Sequence, residues 1–169
     1  DCKLSHHHLR VVFYWLKFMK RPEPPQKILG LDPEFDPIDF EPAHDLRKWI
    51  LETFVYQDGP LYNPEHDHIQ LFDRDFFAVL WASSAFVKAE KMVLGQCERV
   101  MINVGGWKKA RQELQLRNWF GNIPTYIITI DAQYASEATD TDFCALIEHE
   151  LCHIGVKRDE DGNIQVSNM

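Results

Sequence analysis

From Asp140 to Ile154 the chain carries no glycine or proline, and the run stops at Gly155. An uninterrupted stretch of that kind favours a helix, with glycine as its natural end. Thr139, Asp140 or Thr141 can cap its start, and Asp140 and Asp142 suit the positive end of the helix dipole. Phe143, Ile147, Leu151 and Ile154 recur at helical spacing and form one apolar stripe. Asp142, Leu146, His149 and His153 form a neighbouring stripe, with Glu150 between the two. The expected helix therefore has a core side and a side free for chemistry.

That second side holds His149-Glu150-Leu151-Cys152-His153, an HExxH run. Residues four apart on a helix lie one turn above each other on the same face. His149 and His153 can therefore offer two imidazole nitrogens to one metal ion, and ligand type favours Zn2+. Glu150 follows the first ligand directly and is placed to act as general base on a water activated by the metal. The chemistry read from these residues is amide-bond hydrolysis by a zinc-dependent peptidase acting on a protein or peptide. Two other readings stay open. One is a surface helix with solvated His and Glu. The other is a non-catalytic, metal-holding interaction protein, with Trp15, Trp49, Trp81, Trp107 and Trp119 available either for a contact surface or for core packing.

A catalytic zinc takes three protein ligands and keeps one open position. Only two are visible in the run. The extended pattern HExxHxxGxxH fails, because Val156 and Asp159 stand at its Gly and His places. A glutamate from a later helix would fall beyond Met169, so one expectation is a domain cut short at its C-terminal end. Asp159, Glu160 and Asp161 are further candidates, against the alternative of a solvated acidic turn. So are His66 and His68, whose HxH spacing puts both on one side of an extended chain, against the alternative of a polar turn after Pro64. For the oxyanion donor the candidates are Tyr126 and Tyr134, against simple core packing.

Composition limits the partners. A chain of 169 residues can bury one real core. Its net charge of -8 argues against broad binding to nucleic acid or to anionic membranes. Lys108, Lys109, Arg111 and Arg117 are clustered, but read as the solvated face of a helix. Cys2, Cys97, Cys144 and Cys152 contain no CxxC pair, and Cys144 and Cys152 are too far apart on one helix to bridge. Free thiols fit a reducing cytoplasm. Cys152 is expected to be a small buried side chain rather than a ligand. The apolar stretch Val11–Leu16 is too short to span a membrane, and no signal-peptide cleavage site follows it, so the expected location is cytoplasmic.

The chain divides at residue 42. Residues 1–42 form an N-terminal segment, with a short helix expected over Leu9–Met19. A proline-rich arm follows, packed in places by Ile28, Leu29, Phe35, Ile38 and Phe40. Residues 43–169 form the metal-site domain. Ala43–Phe54 reads as an amphipathic helix and Phe76–Ser83 as a strand. Met92–Val104 is a β candidate broken at Gly95. Trp107–Phe120 reads as a helix with Trp107, Ala110 and Leu114 on one side. Pro124–Asp131 is the clearest strand, with Tyr126, Ile128 and Ile130 facing one way and Thr125, Ile127 and Thr129 the other. It is either a sheet edge offered to substrate or an interior strand. Asp159–Gly162 reads as a turn and the last residues as a loose tail. The fold class is α+β, with a mixed or antiparallel sheet packed beside the HExxH helix.

Leu94-Gly95-Gln96, Trp107-Lys108-Lys109-Ala110-Arg111, Trp119-Phe120-Gly121, Ile127-Ile128-Thr129-Ile130-Asp131 and Leu146 to His153, in that order, resemble the putative phage metallopeptidase family. The likeness covers Asn63 to Gly162, and only HExxH within it is chemically diagnostic. The resemblance implies a minimal zincin-like domain encoded by phages or prophages, with peptidase activity, acting in the bacterial host cytoplasm. The pattern is also similar to SprT-like and ImmA/IrrE-type peptidases. On that resemblance His149 and His153 are the metal ligands and Glu150 is the base. A binding protein of phage origin that keeps the metal without catalysis is the alternative.

Overall fold

The continuous β-branched run Ile127-Ile128-Thr129-Ile130 favours the strand β6 (Tyr126–Asp131), which lies inside a four-stranded sheet. The computed structural model describes residues 20–72, 76–158 and 164–168, the residues from 156 onward by their backbone alone. The sheet order is β1 (Phe40–Pro42), β2 (Phe77–Ala82), β6 and β5 (Gly95–Arg99). β2 and β6 run parallel, while β1 and β5 pair antiparallel on the two outer sides. β3 (Phe86–Lys88) and β4 (Lys91–Val93) make a small hairpin, and β7 (Ile154–Arg158) and β8 (Ile164–Asn168) make another. The architecture is α+β with a mixed sheet, as the sequence implies.

Alternation along the strands gives the sheet two apolar faces. Tyr126, Ile128 and Ile130 join Phe77, Val79 and Trp81 in the main core. α1 (Gln26–Leu29), α2 (His44–Ile50) and α5 (Asp140–Cys152) cover that side, and Ile28, Leu46, Ile50 and Phe143 are fully buried there. α2 continues into a single π turn over Leu51–Val55. α4 (Ala132–Glu137) leads from β6 into α5, capped by the Asp131 carboxylate, which accepts from the Gln133 and Tyr134 amides. On the opposite face Ala78, Leu80 and Ile127 are covered by α3 (Gly106–Phe120) through Leu116, Trp119 and Phe120.

Several expectations are corrected. Of the two readings of β6 the interior strand holds, since it is paired on both sides; among the described residues the unpaired edge beside α5 belongs to β5. Trp107 is 90% exposed and Leu114 56% exposed, with Ala110 also outside. The helix is turned so that its C-terminal aromatic pair, rather than its first turn, meets the sheet. Gly121, at φ +82°, then ends it in the left-handed conformation that glycine adopts without strain. Residues 164–168 are not a loose tail: β8 returns along β7, with Val166 opposite Val156.

The proline-rich arm adds β1 to the sheet and Ile28 to the core, while Phe35 and Ile38 stay exposed. Arg21 anchors its start: Nη2 donates to the Ala138 carbonyl at 2.7 Å, and the guanidinium lies 4.6 Å above the Phe143 ring. The helix expected over Leu9–Met19 and the turn at Asp159–Gly162 lie outside the described residues. Among the described residues no helix is long and apolar enough to cross a membrane.

Candidate active site

The helix α5 follows its sequence signals closely. The Thr139 hydroxyl oxygen caps it by accepting from the Asp142 amide at 3.2 Å. Phe143, Ile147, Leu151 and Ile154 are all fully buried, so the apolar stripe fixes the rotation of the helix against the sheet. That rotation leaves His149 and His153 on the exposed side. Their Nε2 atoms lie 3.3 Å apart, and the two rings are nearly perpendicular, at 88° with centroids 4.8 Å apart. Two nitrogens bound at 2.0–2.1 Å in a tetrahedral zinc shell stand about 3.3–3.4 Å from each other. The pair therefore has the spacing that one zinc ion requires.

Glu150 points differently from its neighbours. Its side chain is buried, with 3% of the residue exposed, and its Oε2 accepts from the backbone amide of Cys97 at 2.6 Å. The contact depends on Gly95. A Cβ at that position would stand 3.0 Å from Leu146 Cδ1 and 3.2 Å from both Glu150 Oε1 and Ile130 Cδ1. The absence of a side chain lets β5 approach α5 closely enough for the carboxylate to reach the strand.

The direction of β5 matters as well. The Leu94 carbonyl and the Val100 amide bond to Asp131 and Thr125, towards β6. By antiparallel alternation the amides and carbonyls of Gly95, Cys97 and Arg99 point outward to the free edge. Glu150 sits on that edge at its middle residue. The cleft between β5 and α5 encloses about 470 Å³ and is bordered by Phe86, Lys88, Arg99, Tyr126, His149 and His153. Burial, then the charges of Glu150 and Glu98, push the Cys97 thiol up to about 12, so beside the carboxylate it stays uncharged.

The remaining candidates are scattered. Tyr126 borders the cleft, is almost fully buried, and donates from its hydroxyl to the Gly155 carbonyl at 3.4 Å. Tyr134 feels the charges of Asp142 and Arg21, which places it at the opposite end of α5 from the histidine pair. His66 is buried, with Nε2 3.1 Å from Glu148 Oε1. His68 sets Nδ1 2.8 Å from the Glu65 carbonyl oxygen and Nε2 2.7 Å from that of Ile154. Asp159, Glu160 and Asp161 lie outside the described residues. Among the described residues, none of these side chains clusters with His149 and His153 as a third ligand. Cys152 is half-buried rather than buried.

The sequence reading missed the Cys97 amide and the partners of Glu148. The first left a trace in Gly95, whose break in a strand pattern marks a close backbone approach. The second left none, since Asn63 and Glu148 are 85 residues apart.

The family model described as Putative phage metallopeptidase matches residues 47–168. The chain belongs to that family. Neither a curated protein nor a solved structure matches it. The region matched to the phage metallopeptidase model begins within α2 and ends in β8, so it contains the whole cleft and the HExxH helix. The family description is that of a metallopeptidase, which implies a metal and a peptide substrate in general.

Proposed function

We propose that this chain is a zinc-dependent peptidase that hydrolyses amide bonds of a protein or peptide, with His149 and His153 as metal ligands and Glu150 as general base. The observation that carries the reading is the 3.3 Å separation of the two Nε2 atoms beside a carboxylate anchored to the sheet edge. His149 and His153 would hold a zinc ion there, which would supply Lewis acidity towards a peptide carbonyl and a water molecule.

The chain's own groups do the rest. Glu150 takes a proton from water and passes it to the leaving amine. The Cys97 amide fixes one carboxylate oxygen of Glu150, and the other lies beside Gly95. The outward amides and carbonyls of Gly95 and Arg99 offer an extended peptide two points of strand pairing. Of the two phenols, Tyr126 is the candidate oxyanion donor, since it borders the cleft; to act, its hydroxyl would give up the bond to the Gly155 carbonyl.

The direct test is to incubate the zinc-loaded chain with an unfolded protein and to sequence any new amino termini. Cleavage by the chain that is absent from Glu150→Gln supports the reading, whereas equal cleavage by both removes the assigned base.

A further inference from the structure

The HExxH helix presents two pairs of metal-binding side chains, and the proposed function uses only one. Glu148 and Cys152 precede His149 and His153 by one residue each, so they form a second i, i+4 pair rotated by about 100° around the same helix. They face away from the cleft, towards the 3₁₀ segment Pro64–Leu71. There His66 meets them. Nitrogen, carboxylate oxygen and sulfur of His66, Glu148 and Cys152 lie within 4.8 Å of one another. His66 and Glu148 are 1% and 7% exposed, and Cys152 is half-buried.

We infer that His66, Glu148 and Cys152 form a second metal site, distinct from the histidine pair, which takes zinc or a similar borderline divalent cation. Three arguments support it. The donors are an imidazole, a carboxylate and a thiol, the three side-chain types that zinc prefers. The carboxylate lies in a largely dry place, where a bound cation would offset the cost of its charge. The Asn63 side-chain amide donates to Glu148 Oε1 at 2.6 Å, and this oxygen is also the one nearest His66, so the carboxylate is held in orientation. Ligand atoms around one zinc ion stand about 3.3–3.8 Å apart, so the contraction needed from a spacing of up to 4.8 Å is at most about 1–1.5 Å, within reach of a Cys152 rotamer change. With three protein donors, solvent completes a four-coordinate shell. Such an ion would staple the 3₁₀ segment to the catalytic helix. The inference does not depend on peptidase activity.

Cobalt(II) distinguishes the two sites, because only a cysteine-containing site gives an intense sulfur-to-cobalt charge-transfer band. The full chain, stripped with a chelator, is titrated with cobalt(II) alone and followed by near-ultraviolet absorbance. The expected result is a band that saturates at one equivalent for the thiolate site, persists in His149→Ala/His153→Ala, and is lost in Cys152→Ser but not in Cys97→Ser. Alkylation of the unmutated chain, mapped by mass spectrometry, supplies a readout that needs no variant: metal should protect Cys152 at least tenfold. Saturating cobalt without the band, a band that survives Cys152→Ser, equal alkylation with and without metal, or loss of the band in the double histidine variant would each overturn the second site. The last outcome would place Cys152 on the same ion as the histidines.

Discussion

Glu150 Oε2 accepts a 2.6 Å hydrogen bond from the backbone amide of Cys97, so the proposed base is fixed to the free edge of the sheet rather than to its own helix. This relationship separates two substitutions that would otherwise look alike. In Glu150→Gln the carboxamide oxygen can accept the same bond. The fold and the metal content should therefore be unchanged while turnover falls by about 10²–10⁴. Glu150→Ala removes the charged partner of the half-buried Cys97 amide, and should lose a further ~1–3 kcal/mol of stability. Urea unfolding of the two variants, alongside peptidase assays, checks both halves. Equal stability loss in both would mean that the bond to Cys97 does not hold the side chain.

Gly95→Ala tests the close approach itself. The new methyl group would stand 3.0 Å from Leu146 Cδ1 and 3.2 Å from Glu150 Oε1. The strand or the carboxylate must shift, at an expected cost of about 1–3 kcal/mol. Activity should fall more than stability does, because displacement of Glu150 misplaces the proposed base. A thermal melt and an activity assay on the same preparation decide it; wild-type values for both would show that the contact yields freely.

Alkaline stability should report the thiols of Cys97 and Cys144. Burial is the main cause that raises both Cys97 and Cys144 to about 12 from 9.0. The unfolded chain loses these protons first, so the native advantage is complete below pH 9 and declines as pH rises towards 12. At pH 10.5 the decline for one such thiol is about 2 kcal/mol. Denaturant unfolding at pH 8 and pH 10.5 should therefore show the wild type losing about 2 kcal/mol more than Cys144→Ala over that interval. Parallel losses would mean that the Cys144 thiol titrates normally.

The helix α3 separates what the sequence makes legible from what it does not. Its existence and its stop at Gly121 follow from local signals, and so do the capping, rotation and buried stripe of α5 and the two faces of β6. Those properties depend on spacing along one element. Which face of α3 turns inward does not, because an amphipathic pattern with apolar residues on several sides leaves the choice to the surface it meets. Hence Trp107 faces solvent while Trp119 packs near Phe40, with ring centroids 6.3 Å apart. The same limit hides the strand order, which makes β5 the edge, and the Glu150–Cys97 and Glu148–His66 contacts, which join residues more than 50 positions apart. The HExxH spacing placed the histidine pair correctly on one exposed face; it carried no information on what lies across the cleft.

The contrast between tryptophans is itself a prediction. Trp107→Ser removes a side chain in open solvent and should change stability by no more than about 0.5 kcal/mol. Trp49 is 5% exposed, with its ring 5.8 Å from that of Phe54 and 6.0 Å from that of Phe143. Trp49→Ala should cost about 3–5 kcal/mol. A large loss on replacing Trp107 would show that α3 packs through its first turn after all.

Elemental analysis of purified chain tests the central claim most directly. The full chain and its His149→Ala/His153→Ala variant, prepared side by side and saturated with zinc, are compared for metal bound per folded molecule. The account predicts that the double variant keeps its circular dichroism spectrum and holds one zinc fewer than the wild type. The same zinc content in both would contradict it, because the two histidines would then not be the ligands of the proposed catalytic ion.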